Sequence, residues 1–183
     1  MLVVAITGMP GAGKSTAAKA LEKTGMKRII MGDVIRAETT KQGLEPSEQN
    51  TGEVMRNLRV KFGENAIAEL CIRMMNESKS ERVVIDGIRS MSEVDTFRRV
   101  GRVLLIAVHA SRERRYRLLT KRGRTDDPHD YQMFLRRDER ELDIGVGRAI
   151  ALADEAVSNE HVTPDVLSKL VTKTVRPWID ANE

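Results

Sequence analysis

The sequence predicts one three-layer α/β domain: a mostly parallel sheet with helices on both faces, a helical insertion and a mobile Arg-rich segment. Three observations lead there. Five short strand-like runs alternate with helical segments, a pattern that gives a parallel sheet covered on both sides. The first run flows into a glycine-rich loop and then into good helix-forming sequence. The 183 residues amount to about one domain, with no repeat, low-complexity tract or long linker.

Leu2–Thr7 (LVVAIT) is an apolar β-branched run, as a buried parallel strand requires. Arg28–Met31 (RIIM), Arg82–Asp86 (RVVID), Arg102–Val108 (RVLLIAV) and the very short Glu155–Ser158 (EAVS) are the other candidate strands. Capping signals mark helix starts between them. Asp33 follows Gly32 and precedes Val-Ile-Arg-Ala-Glu, and Ser111 opens an Arg-rich segment. Asp127-Pro128 and Thr163-Pro164 each place a capping side chain before a proline suited to the first helical position.

Composition excludes several classes. With 40% hydrophobic and 32% charged residues the chain buries a core and stays soluble. No apolar run approaches the roughly 18–20 residues needed to span a bilayer, and the opening MLVVAITGMP lacks a basic n-region, so neither a membrane span nor a signal peptide is expected. The expected compartment is the cytoplasm. Cys71 is the one cysteine and falls in the apolar spacing Ile67, Leu70, Cys71, Met74, which reads as a small core residue. His109, His129 and His161 are too scattered for a zinc site. A net charge of +4 with a pI near 9.4 admits nucleic acid as a partner. Against that, 3% aromatic residues are too few for base-stacking platforms, and small phosphate-rich ligands also need arginines.

Gly8-Met9-Pro10-Gly11-Ala12-Gly13-Lys14-Ser15 fits GxxxxGK[ST] at every position. Glycines let backbone N–H groups approach phosphate oxygens, and the helix that follows adds its partial positive charge. Lys14 is expected to reach the β- and γ-phosphates, Ser15 to ligate Mg²⁺, and Thr16 to contact the α-phosphate. ATP with Mg²⁺ is therefore the expected ligand of residues 8–16. The chain has neither DxxG nor NKxD in the manner of a GTPase, since Asp86-Gly87-Ile88-Arg89 carries arginine where the switch glycine belongs. ABC and AAA-type ATPases need longer chains with further motifs, which leaves small kinases.

Several segments, in order, carry a family resemblance. GMPGAGKST is similar to GxPGxGK[GS]T, Gly32-Asp33-Val34-Ile35-Arg36-Ala37 to GDxLRA, and Asp86-Gly87-Ile88-Arg89 to DGxPR. Arg124-Thr125-Asp126-Asp127, followed by Arg136, Arg137 and Arg140, is similar to the lid pattern RxDD…R. The chain thus resembles the nucleoside monophosphate kinases, adenylate kinase in particular, from about Met1 to Arg140. The tail Leu152-Ala153-Asp154-Glu155-Ala156-Val157-Ser158-Asn159 looks like the ADxVIxN ending of dephospho-CoA kinase. The whole also resembles an archaeal family of adenylate-kinase-related proteins. It departs from adenylate kinase in a DGIR without proline, in having no counterpart near Glu93 of the glutamine that reads adenine, and in a single cysteine where a Cys₄ lid needs four.

The resemblance implies a P-loop NTPase fold with a five-stranded parallel sheet ordered 2-3-1-4-5. It also implies an acceptor-binding helical insertion at about residues 32–80 and an Arg-rich lid at about 114–140, within one domain spanning 1–183. Asp86 would serve the magnesium shell beside Ser15, and Arg36 and Arg89 would grip the acceptor, as guanidinium forks match phosphate oxygens. Lid arginines, in the order Arg122, Arg124, Arg136, Arg137 and Arg140, would stabilise the transferring phosphoryl group, with Gly123 as a hinge. Asp33 has two readings. It caps a helix, or it is the base for a hydroxyl acceptor as in dephospho-CoA kinase, a base that a phosphate acceptor does not need. The leading expectation is transfer of the γ-phosphoryl group of Mg-ATP to a small nucleotide-like acceptor. A regulatory ATP-binding switch and an RNA-associated ATPase are the rivals.

Overall fold

Alternation of side chains along the first strand organises the molecule. In the computed structural model, which describes residues 1–123 and 127–183, β1 is Leu2–Thr7 and every residue of it is buried. Val3 and Ala5 face one apolar core, and Leu2, Val4 and Ile6 face another. A strand with two apolar faces needs helices on both sides of its sheet.

The remaining elements follow in chain order. α1 (Lys14–Glu22) leads to β2 (Lys27–Ile30), then α2 (Met31–Lys41), α3 (Glu48–Phe62), α4 (Ala66–Ser78) and β3 (Arg82–Ile88). α5 (Met91–Arg98), β4 (Arg102–His109), α6 (Arg112–Arg122), α7 (Tyr131–Ile144), α8 (Val146–Ala151), β5 (Glu155–Ser158) and α9 (Pro164–Asp180) complete the chain. The sheet is parallel in the order β2-β3-β1-β4-β5, as the family resemblance implied. α1 and α9 cover one face with Ala17, Leu21, Leu167 and Val171, while α4 and α5 cover the other with Ile67, Cys71, Met75, Val94 and Phe97.

Register sets the position of the site. Ile6, the penultimate residue of β1, pairs with Asp86 on one side and Ile106 on the other. The carboxyl ends of the three central strands therefore open onto one edge, where ligands bind in such sheets. The strands run slightly differently from the sequence expectation: β2 ends at Ile30, while β3 and β4 extend to Ile88 and His109.

Local capping signals were obeyed where nothing long-range competed. Thr163 accepts from the Val166 N–H at 3.3 Å with Pro164 as the first helical residue, and Ser111 accepts from the Arg114 N–H at 3.4 Å. Two signals were overridden. Asp33 does not cap α2, because β2 passes directly into the helix through an extended Ile30, leaving Asp33 inside the first turn paired with Arg36. Asp127 does not cap α7 either. That helix begins at Tyr131 under Asp130, whose carboxylate accepts from the Met133 N–H at 2.7 Å. Asp127 is instead buried at 4% exposure and held by Arg122, and a buried carboxylate takes a countercharge in preference to a helix end.

Cys71 is fully buried, and burial pushes its thiol up to about 12. A disulfide reagent at pH 8 is thus expected to modify Cys71 only as fast as the native state opens, and at once in denaturant. Rapid stoichiometric labelling of the native protein is the contrary outcome.

Candidate active site

The loop between β1 and α1 is pressed between two supports. A Cβ at Gly11 would lie 2.7 Å from the Arg115 carbonyl oxygen and 2.9 Å from Leu119 Cγ, both on α6. One at Gly13 would lie 2.6 Å from Asn159 Nδ2, just beyond β5. Both glycines also hold positive φ, +80° and +105°, so larger residues are strained as well as crowded. Asn159 Nδ2 donates to the Ala12 carbonyl at 2.9 Å, tying the loop to the far end of the sheet. α1 then starts at Lys14 with no side-chain cap and no acid in its first turn. Its leading N–H groups and dipole suit an anion.

One cleft of about 460 Å³ lies over this loop, within the usual range for small-molecule sites. Gly8, Pro10, Gly11, Gly13, Lys14, Ser15 and Thr16 line it. Met9 and Ala12 contribute backbone instead, their carbonyls accepting from Lys14 at 3.1 Å and from Asn159 respectively.

Lys14 Nζ donates to the Gly8 carbonyl at 2.7 Å as well. Burial lowers its pKa to about 8; Glu141 and Asp86 pull the other way, and Arg89 and Arg137 add to the lowering. Asp86 lies two residues before the end of β3, beside the loop at 3% exposure, and its Oδ2 accepts from Arg28 Nη2 at 2.6 Å. Ser15 and Asp86 line the same cleft.

Arg36 and Arg89 both line it too, each with an acidic partner. Arg36 pairs with Asp33, whose side chain is 55% exposed and does not line the cleft. Arg89 Nε lies 3.0 Å from Glu141 Oε2 on α7, and its Nη1 lies 3.2 Å from Met55 Sδ on α3. The Arg89 backbone is fixed separately: its N–H donates to Glu93 Oε2 at 2.7 Å, and Glu93 also closes a capping box with Ser90 and accepts from Arg59 at 3.0 Å.

Arg115 joins three elements. Its guanidinium meets Asp138 of α7 at 2.8 and 2.6 Å, donates to the Pro10 carbonyl at 3.0 Å and stacks over Phe134 at 5.0 Å. Arg122 lines the cleft and forks onto Asp127, with Nε to Oδ2 at 2.8 Å; Arg137 also lines it, 3.7 Å from the same carboxylate. Arg136 is exposed and does not line the cleft, because α7 turns the next residue inward. Arg124 lies outside the described residues. Arg140 acts on Glu141 electrostatically from α7.

Residues that sequence reasoning passed over include Glu141, Asp138, Arg28 and Glu93. A signal existed for the first two. Phe134, Asp138 and Glu141 recur at helical spacing on the buried side of α7, so charged residues there had to be functional or paired.

Fold and cleft together define a P-loop kinase-like domain, and the comparisons agree. The chain belongs both to the family described as an AAA domain, matched over residues 7–132, and to the UPF0200 family. It is 45% identical over 172 residues to a UPF0200 protein of Methanocaldococcus jannaschii, covering 93% of this chain and 87% of that one. A UPF0200 protein of Thermococcus onnurineus is 42% identical, with 87% and 89% covered. Among solved structures, shikimate kinase from Bacteroides thetaiotaomicron matches with a TM-score of 0.62 at 16% identity, over 96% of this chain and 98% of that chain, a likeness of fold. Length and the lack of further motifs had set AAA-type ATPases aside, yet the matched family carries that name; the solved structure shares the fold. No helix among the described residues is long and apolar enough to cross a membrane.

The lowered pKa of Lys14 has a measurable consequence. A polyphosphate in the loop raises that pKa again, so binding takes up a proton in the window above about 8 and affinity falls as pH rises through it. Calorimetry of Mg-ATP in buffers of different ionisation heat is expected to give uptake of about 0.1 proton at pH 7 and about 0.9 at pH 9, if the bound amine returns to its ordinary value. Equal uptake at both pH values contradicts the assignment.

Proposed function

We propose that this chain is a phosphotransferase that moves the γ-phosphoryl group of Mg-ATP to the phosphate of a small, nucleotide-like acceptor. One observation carries the reading: Lys14, Arg89 and Arg137 face a single cleft at the carboxyl edge of the sheet, over a helix N-terminus with no side-chain cap. Cations converging from the start of α1, the residue after β3 and α7 suit two phosphate groups brought end to end.

In this reading the loop amides and Lys14 hold the donor phosphates. Ser15 and Asp86 would hold Mg²⁺, which would supply positive charge beside the transferring group. Arg36 and Arg89 align the acceptor from the side formed by α2–α4, the acceptor-binding insertion. Residues of about 114–140 serve as the lid, with Arg122 and Arg137 supplying charge and Arg124 held as a further candidate. Arg137 takes the place first assigned to Arg136, since it lines the cleft and Arg136 does not. Closure of such a lid excludes water and spares ATP from hydrolysis.

Asp33 favours a phosphate acceptor over a hydroxyl. A hydroxyl needs a base at the attacking oxygen, and the Asp33 carboxylate pairs with Arg36 outside the cleft lining.

Single-turnover transfer from γ-labelled ATP to a panel of nucleoside monophosphates and hydroxyl acceptors tests this. Label is expected on a monophosphate, with at least about 10³-fold loss in Lys14→Ala at unchanged melting temperature, and with Asp33→Asn within a small factor of wild type. Label passing only to water contradicts the proposal. So does label on a hydroxyl with a loss of about 10²–10⁴ in Asp33→Asn.

A further inference from the structure

Glu141 is a buried carboxylate in the wall of a cleft suited to phosphate, and the proposed transfer gives it no task. It is 8% exposed and its Oε2 lies 3.0 Å from Arg89 Nε. It occupies the last turn of α7, where no basic residue accompanies it and the helix dipole opposes a negative charge. Burial opposes ionisation as well. Arg89, Lys14, Arg137 and Arg140 outweigh burial, and they hold the carboxyl below its ordinary range. Seen from the loop, Glu141 is the leading carboxylate that supports the charge on Lys14, ahead of Asp86.

A carboxylate so gripped is a poor base, because its proton affinity is low where a base needs it raised. An ion pair serving stability alone has no need to stand among the loop lysine and the cleft arginines. What Glu141 does supply is one negative charge directly against Arg89, in a cleft whose other lining carboxylate, Asp86, is paired with Arg28 instead.

We propose that Glu141 is a specificity-determining residue: an internal anion that occupies Arg89 until a phosphate dianion replaces it, admitting phosphorylated acceptors and rejecting those with a carboxylate or hydroxyl at that point. The proposal rests on Arg89 as the acceptor clamp. A dianion gains more from the cation cluster than the monoanion it displaces. A ligand carboxylate exchanges like for like after losing its hydration, and a hydroxyl has no charge to exchange. Arg89 can change partners without losing its place, since its backbone N–H stays bound to Glu93.

The test titrates inorganic phosphate and acetate into wild type, Glu141→Gln and Glu141→Ala, with Mg-ADP filling the loop. Wild type is expected to prefer phosphate. Both variants are expected to bind phosphate about tenfold or more tightly and to bind acetate where wild type does not. The gain is expected to vanish in Arg89→Met/Glu141→Gln. Damage to the fold weakens binding, so a gain in either soluble variant separates this role from a merely structural one. Unchanged or weaker phosphate binding in the variants, with Mg-ADP still bound, overturns the role of Glu141 and leaves the kinase reading standing. Failure of Mg-ADP to bind wild type overturns the kinase reading and this proposal with it.

Discussion

A guanidinium at 5% exposure survives only where its charge and its donors are met, and Arg115 meets them with a carboxylate and a carbonyl from two different parts of the chain. Asp138 brings α7 against α6, and Pro10 brings the phosphate-binding loop against both. Gly11 has to be glycine because α6 lies so close that a Cβ would press on the Arg115 carbonyl. Removing one partner of such a pair costs roughly 3–5 kcal/mol, since the other charge stays buried alone. The same contact carries Arg137 and Glu141, the neighbours of Asp138 on α7, to the cleft that Lys14 also lines. The site thus depends on a tertiary constraint more than on the loop alone.

Much of the charge in and around the cleft is balanced in pairs. Arg28 answers Asp86, Arg89 answers Glu141, Arg36 answers Asp33, and Arg122 with Arg137 answers Asp127. Among the described residues Lys14 has no such direct partner and donates to loop carbonyls instead. Its lowered pKa follows from that: burial costs the charged amine more than two nearby carboxylates return. On the proposed reading, a phosphate entering this field would exchange partners with groups already paired, and the acidic residues would then matter to selectivity as much as the basic ones.

Much of this was legible in the sequence because it is local. The loop, its strand and its helix lie within about twenty consecutive residues, and Thr163-Pro164 needs nothing beyond its own turn. Sheet order came through resemblance, since strand patterns give existence and not neighbours. Asp127-Pro128 misled because a capping signal is worth about 1 kcal/mol and a buried carboxylate's need for arginine is larger. Arg115 was hidden in a basic run whose members look alike. Only its partners, 23 and 105 residues away, distinguish it from exposed Arg117. Glu141 was missed for a similar reason, being an acid near several arginines in sequence and facing a different one, Arg89, in space.

The dependence of the loop on α6 and α7 is open to a direct measurement: calorimetric Mg-ATP affinity of Arg115→Met/Asp138→Met. Replacing both members of a buried ion pair by apolar groups is often neutral for stability, so the melting temperature is expected to stay near that of wild type. The Pro10 anchor is lost in the same variant, and affinity is expected to fall at least about tenfold as the loop loses its preorganised shape. Wild-type affinity in that variant, with the fold intact, would contradict the account.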